Sequence, residues 1–116
     1  MVIHLRKVIP FSDELPFKEN FDLHVKRVKA VASILNEYNC VLGVEFIAPK
    51  TLRLGRKYEF IHDMKGMLDL LEAVGADNVG LLLDSWHWYT SHGTIDQILE
   101  LKGDDVVYVH INDLRR

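Results

Sequence analysis

A single cysteine, Cys40, excludes an intrachain disulfide, so the chain must hold itself together by burial alone. At 116 residues a domain removes about two-thirds of its unfolded surface from water, enough for a core without bridges or a zinc clip. No apolar stretch approaches the roughly 20 residues that span a bilayer. The amino terminus also lacks the charged segment, apolar core and small-residue cleavage site of an export signal, so a cytoplasmic address and no membrane partner are expected. Charge of either sign is never concentrated: 14 basic and 17 acidic side chains give a net charge of −3 with no run of five like charges. That leaves no footprint for phosphate backbones or anionic surfaces and argues against nucleic acid as a partner. Linkers rich in Pro, Gly or Ser, low-complexity tracts and residue-level repeats are all missing, and residues 1–116 read as one domain.

What is present is an alternation of short β-branched or leucine-rich runs with longer helical patterns, the signature of an α/β fold of parallel strands joined by crossover helices. Strands are expected over residues 2–9, 41–47, 79–83 and 106–111, the middle two as nearly continuous hydrophobic runs covered on both faces. A helix is expected over 16–38, with Phe17, Phe21, Val25, Val28, Ala32 and Leu35 on one face and Pro16 in its first turn. A second covers 63–74, its stripe made by Met64, Met67, Leu68, Leu71 and Val74, with Gly75 as a left-handed stop. A third runs from Thr94, where Gln97 completes a capping-box pattern, to about Gly103. Residues 48–61 and 85–93 read as loops that follow the carboxyl ends of strands, where parallel α/β folds collect function.

Three residues are wrong for a core. Glu45 sits inside an apolar strand run, Asp84 ends the Leu81-Leu82-Leu83 run, and His110 lies near the end of the fourth strand. A buried carboxylate without a cation costs several kcal/mol, about what a lost charge pair costs, so each implies a basic side chain or a metal nearby. Two carboxylates and an imidazole converging from neighbouring strands suit Mn²⁺, Mg²⁺, Co²⁺ or Zn²⁺. The competing account pairs Glu45 and Asp84 with Lys50, Arg53 or Arg116 and leaves His110 as a satisfied core histidine. Around the triad, His87 is placed to hydrogen-bond a substrate hydroxyl or carbonyl, or to cap a helix. Trp86 and Trp88 offer faces to a sugar ring, or simply pack. Lys50 lies in the adjoining loop, and Arg116 is placed to clamp a substrate oxygen. His4, His24, His62 and His92 have no partner pattern and read as core or surface.

The segments Gly43-Val44-Glu45-Phe46, Leu83-Asp84-Ser85-Trp86-His87-Trp88-Tyr89 and Val109-His110-Ile111-Asn112-Asp113 together resemble the xylose-isomerase-like barrel superfamily of sugar isomerases, epimerases and inosose dehydratases. The resemblance implies (β/α)₈ architecture and a divalent metal held by Glu45, Asp84 and His110. It also implies substrate contacts from His87, three residues after the aspartate, and Arg116, six after the histidine. The implied chemistry is enediolate-type proton transfer on a small sugar or polyol, with Glu45 as the base. The family's fourth ligand, a glutamate of the last strand, has no counterpart here. A whole barrel takes roughly 200 residues or more, so about four strands and three helices amount to half of one. Three readings of that follow: a truncated product, one half of a split protein, or a chain that self-associates, for which a homodimer completing the sheet is the expected form. The alternative within the superfamily is a repair endonuclease for abasic DNA, which wants more His and acidic ligands; the alternative from another class is a non-catalytic barrel fragment or interaction domain needing a partner chain. A flavodoxin-like or receiver-like domain is matched poorly by Pro10-Phe11-Ser12-Asp13 at the end of the first strand.

Overall fold

A computed structural model describes residues 2–4 and 11–113 of the chain. Four strands form one parallel sheet in the order β1-β2-β3-β4, where β1 is Val2–His4, β2 Val41–Val44, β3 Val79–Asp84 and β4 Val106–His110. Sequential parallel neighbours separated by helical segments are the repeating unit of an α/β barrel. The rest of the first expected strand, residues 5–10, lies outside the described residues.

Helix α1, Phe17–Glu37, follows the expected boundaries with Pro16 at its N-cap. Its stripe is narrower than the sequence implies. Val28 and Ala32 are buried, Phe21, Val25 and Leu35 pack against the core at partial burial, and Phe17 is 43% exposed. Phe17 still covers Phe60, the two rings being 5.4 Å apart. Helix α2, Met64–Val74, is closed at both ends by its own sequence. Asp63 accepts a 2.8 Å bond from the Gly66 amide, and Gly75 takes φ +62°, a left-handed stop open to glycine without strain. Met64, Met67, Leu70 and Val74 are its buried residues, whereas Leu68 and Leu71 pack at the margin of the core.

These two helices enclose the core with one face of the sheet, represented by Leu42, Val44 and Leu81, and with Phe46 and Phe60 from the connection after β2. Burying each such large side chain stabilises the fold by roughly 1.5–3 kcal/mol. Asn78 ties the layers together: its side-chain amide donates to the carbonyls of Ala32 (2.8 Å) and Cys40 (3.2 Å), and its own carbonyl accepts from Leu42 N–H. Arg56 and the Lys57 amide both donate to Asp13, and Ser12 bridges to Tyr58. Those contacts tie the segment before α1 to the connection after β2. Among the described residues no helix is long and apolar enough to cross a membrane.

Three segments depart from expectation. Residues 85–93, read as a loop, begin with a short helix α3, Ser85–Thr90, because the Asp84 carboxylate caps its first amides. The third expected helix shrinks to α4, Ile95–Leu99, with the Thr94–Gln97 capping box intact. A separate 3₁₀ turn, Gly103–Asp105, leads into β4. The connection 48–61 likewise carries a 3₁₀ turn, Lys50–Leu52.

The register between β3 and β4 has one irregularity. Leu81 pairs with Val106, but Leu82 pairs with Tyr108, so Val107 is an extra residue in β4. Gly80 makes room for it: a Cβ built there would stand 2.4 Å from Val107 Cγ1 and 3.1 Å from the Asp105 carbonyl oxygen. Gly80→Ala is therefore expected to destabilise the chain by about 1–3 kcal/mol in urea unfolding, the usual cost of overpacking. Val107→Ala in the same chain should recover most of that loss, whereas strictly additive costs would show that Val107 is not the obstacle.

Candidate metal centre

Strand residues alternate between the faces of a sheet. Gly43 pairs with Gly80 and Asp84 pairs with His110. Counting in twos from Gly43 and Gly80 puts Glu45, Leu82 and Asp84 on one face, opposite the face that Leu42, Val44 and Leu81 present to the helices. The bulge brings His110 to the same side. Without Val107 as an extra residue, Val109 would lie level with Asp84 and His110 would turn to the opposite face of the sheet, since a one-residue slip reverses every side chain.

The three side chains meet. Glu45, Asp84 and His110 each offer a donor atom, and the three atoms lie within 4.8 Å of one another. Glu45 stands just past β2 rather than inside it, because β2 ends at Val44. His110 Nδ1 is 3.6 Å from Asp84 Oδ2. Glu45 Oε2 is buried with no hydrogen-bond partner among the described residues, an arrangement that costs about 1–3 kcal/mol or more for a charged group. Neither Lys50 nor Arg53 relieves it. Arg53 donates from Nε to the Ala48 carbonyl (2.8 Å) and lies over the Phe11 ring. Lys50 is exposed, and its ammonium makes no hydrogen bond or ion pair among the described residues. A divalent cation fits this donor set: two carboxylates and an imidazole around a gap of that size, with one oxygen buried and unpartnered.

Asp84, only 9% exposed, does two jobs. Its Oδ1 accepts 2.8 Å bonds from the Trp86 amide and from Asn112 Nδ2, and a longer one of 3.4 Å from the His87 amide. Capping α3 therefore consumes one oxygen and leaves Oδ2 beside His110. The cap also sets where the neighbouring aromatics go. His87, half-buried, accepts a long 3.4 Å contact at Nδ1 from the Ala48 amide, which leaves Nε2 as the protonated nitrogen. This contact links the end of β2 to α3. Trp86 is half-buried and enters the site through its backbone, while Trp88 packs against the core with Gly93 under its indole. Arg116 lies outside the described residues. The sequence reading missed Asn112 and Ser85. The signal was there in part: Asn112 stands two residues after His110, the spacing that returns to the same face of an extended chain.

The sequence profile of the xylose isomerase-like TIM barrel family matches residues 2–116. An inosose isomerase of Bacillus velezensis is 26% identical over 83 residues, 72% of this chain and 27% of the relative, and the inosose isomerase of Bacillus subtilis is 24% identical over the same lengths. A xylose isomerase domain protein from Alicyclobacillus acidocaldarius superposes with a TM-score of 0.82 at 36% identity, covering 99% of this chain and 39% of that one. The IOLI protein, solved with a bound zinc atom, gives 0.72 at 21% identity, over 97% of this chain and 37% of its own. An AP endonuclease of family 2 from Brucella melitensis gives 0.77 at 19%, over 95% and 40%. The two solved structures below 25% identity speak for the fold alone. This chain thus spans 27% of the curated relatives and 37–40% of the solved structures it matches. Its four parallel strands and the helical connections between them are part of a barrel, and the chain belongs to the xylose isomerase-like TIM barrel family.

Proposed function

We propose that this chain carries most of the metal centre of a divalent-metal-dependent isomerase or epimerase acting on a sugar, sugar phosphate or inosose. The observation that carries the reading is the meeting of Glu45, Asp84 and His110, with donor atoms within 4.8 Å of one another, beside a buried Glu45 oxygen that has no hydrogen-bond partner among the described residues. The inosose isomerases among the relatives support the substrate class. A bound Mn²⁺, Mg²⁺, Co²⁺ or Zn²⁺ ion would supply Lewis acidity toward a substrate carbonyl and its neighbouring hydroxyl.

The chain's own residues do the rest. Glu45, on the sheet face that would meet the substrate, takes the proton from the carbon beside the carbonyl, acting as general base. His87, its Nδ1 turned to the Ala48 amide, presents Nε2–H to a substrate oxygen. Trp86 walls the pocket at the start of α3, Lys50 binds a substrate oxygen from the connection after β2, and Arg116 is assigned a second substrate oxygen. Epimerisation needs a second acid or base on the opposite face of the carbon. That group must come from barrel strands other than these four, so complete turnover is a property of the assembled barrel.

The edge strand supports assembly. β4 lies at one end of the sheet, and its Tyr108 and Val109 together with Ile111 are exposed, Ile111 at 86%. An apolar edge of this kind invites pairing with another strand, and we assign that place to a second copy of the chain. Light scattering of the purified chain should give the mass of a dimer; a monodisperse monomer overturns this assignment.

Calorimetric titration of the metal-stripped chain with Mn²⁺ should show saturable binding near one ion per chain, lost in both Asp84→Ala and His110→Ala. Binding that survives both variants, or no binding at all, would leave the motifs as barrel scaffold. In any preparation that turns over a ketose or an inosose, Glu45→Gln should abolish turnover while circular dichroism stays unchanged. Full activity in that variant removes Glu45 from the role of base.

A further inference from the structure

The two oxygens of Asp84 have different neighbours. Oδ1 accepts two short bonds of 2.8 Å, one from the Trp86 amide two residues on and one from the Asn112 side chain two residues past the end of β4. Two short bonds use both lone pairs of a carboxylate oxygen. Oδ2 is left facing His110. The Trp86 bond is local and comes with the cap of α3. The Asn112 bond is the long-range one, and Asn112 is itself held: its backbone N–H donates to Ser85 Oγ at 2.9 Å. Ser85 and Asp84 are adjacent and both bonds come from Asn112, so together they form a double clasp between the start of α3 and the segment just after His110.

We propose that Asn112 is a positioning residue for the metal centre. Its amide occupies Oδ1 of Asp84, denies the ion a two-oxygen grip on that carboxylate, and holds Oδ2 level with His110 and Glu45. Ser85 keeps Asn112 in place. Partners behind metal ligands typically govern affinity by a factor of about 10–100. Asn112 itself is exposed, so substituting it should leave the core untouched and act on the ion's site. The inference rests on the metal-centre reading above and concerns how that centre is aimed.

The test uses the metal-stripped 116-residue chain, titrated with Mn²⁺ by calorimetry and loaded with Co²⁺ for its electronic absorption spectrum. Asn112→Leu, which keeps the size and removes the donor, should weaken Mn²⁺ binding about tenfold or more and change the Co²⁺ spectrum. The thermal midpoint of its metal-free form should move by less than about 2 °C. Asn112→Gln, which keeps a donor, should recover part of the affinity. Ser85→Ala should lie between, and adding it to Asn112→Leu should cost nothing further, as expected for two links of one chain of bonds. Unchanged affinity and spectrum in Asn112→Leu, with binding lost in Asp84→Ala, overturns the role of Asn112 alone. A fall in affinity matched by a large fall in the metal-free midpoint makes Asn112 a structural residue and also overturns it. An unaltered chain that binds no Mn²⁺ overturns the metal centre and this inference with it.

Discussion

Side chains on a strand have only two directions to choose from, and the extra residue Val107 decides which of them His110 takes. Everything at the carboxyl edge of the sheet depends on that choice. Level pairing of Asp84 with His110 brings an imidazole next to a carboxylate; a slip of one residue would turn the imidazole to the opposite face of the sheet, where Val109 now lies half exposed, and bring Val109 to the site. Gly80 is the complementary half of the device, since any side chain there would occupy the space Val107 needs. A strand interior is a costly place for glycine, and here the cost is repaid by the site's geometry.

The same economy appears in Asp84. One carboxylate ends β3, starts α3, accepts the Asn112 amide and still turns an oxygen toward His110. Because the cap and the site share a residue, the start of α3 is rigidly referenced to the donor set, and with it His87 and Trp86. The link from the Ala48 amide to His87 does the same for the segment after Glu45. Three strand ends are thereby coupled through α3 rather than through the sheet alone. A site assembled on strand ends and one short capped helix keeps its geometry better than one carried by free loops.

Legibility from sequence varied with the range of the interaction involved. The helix ends were readable because their causes are local: Asp63 caps an amide three residues on, Gly75 takes a left-handed φ, and Thr94 and Gln97 satisfy each other. The core stripe of α2 was readable only in part, since Leu70, fully buried, sits between the expected Leu68 and Leu71. Which edge of a helical stripe is deepest depends on the angle at which it meets the sheet. α3 is not legible while the residue that nucleates it is read only as the partner of a cation, whether a metal or a basic side chain. Asp84 was expected to face a cation, yet an aspartate before three polar or aromatic residues is equally an N-cap.

By itself the sequence determined the order of four strands and their helices, the local caps, and the identity of the three residues too polar for the runs that contain them. Those follow from periodicity, propensity and the cost of burying charge, all of which act within a few residues. The tertiary structure decided that Glu45 lies past the end of β2, that Val107 is bulged opposite Gly80, and that Asn112 and Ser85 clasp the far side of Asp84. Each of these is a contact or a register between segments far apart in the chain. A strand's alternation is compatible with either register until its neighbour is in place, so only the assembled sheet could turn three isolated polar residues into one site.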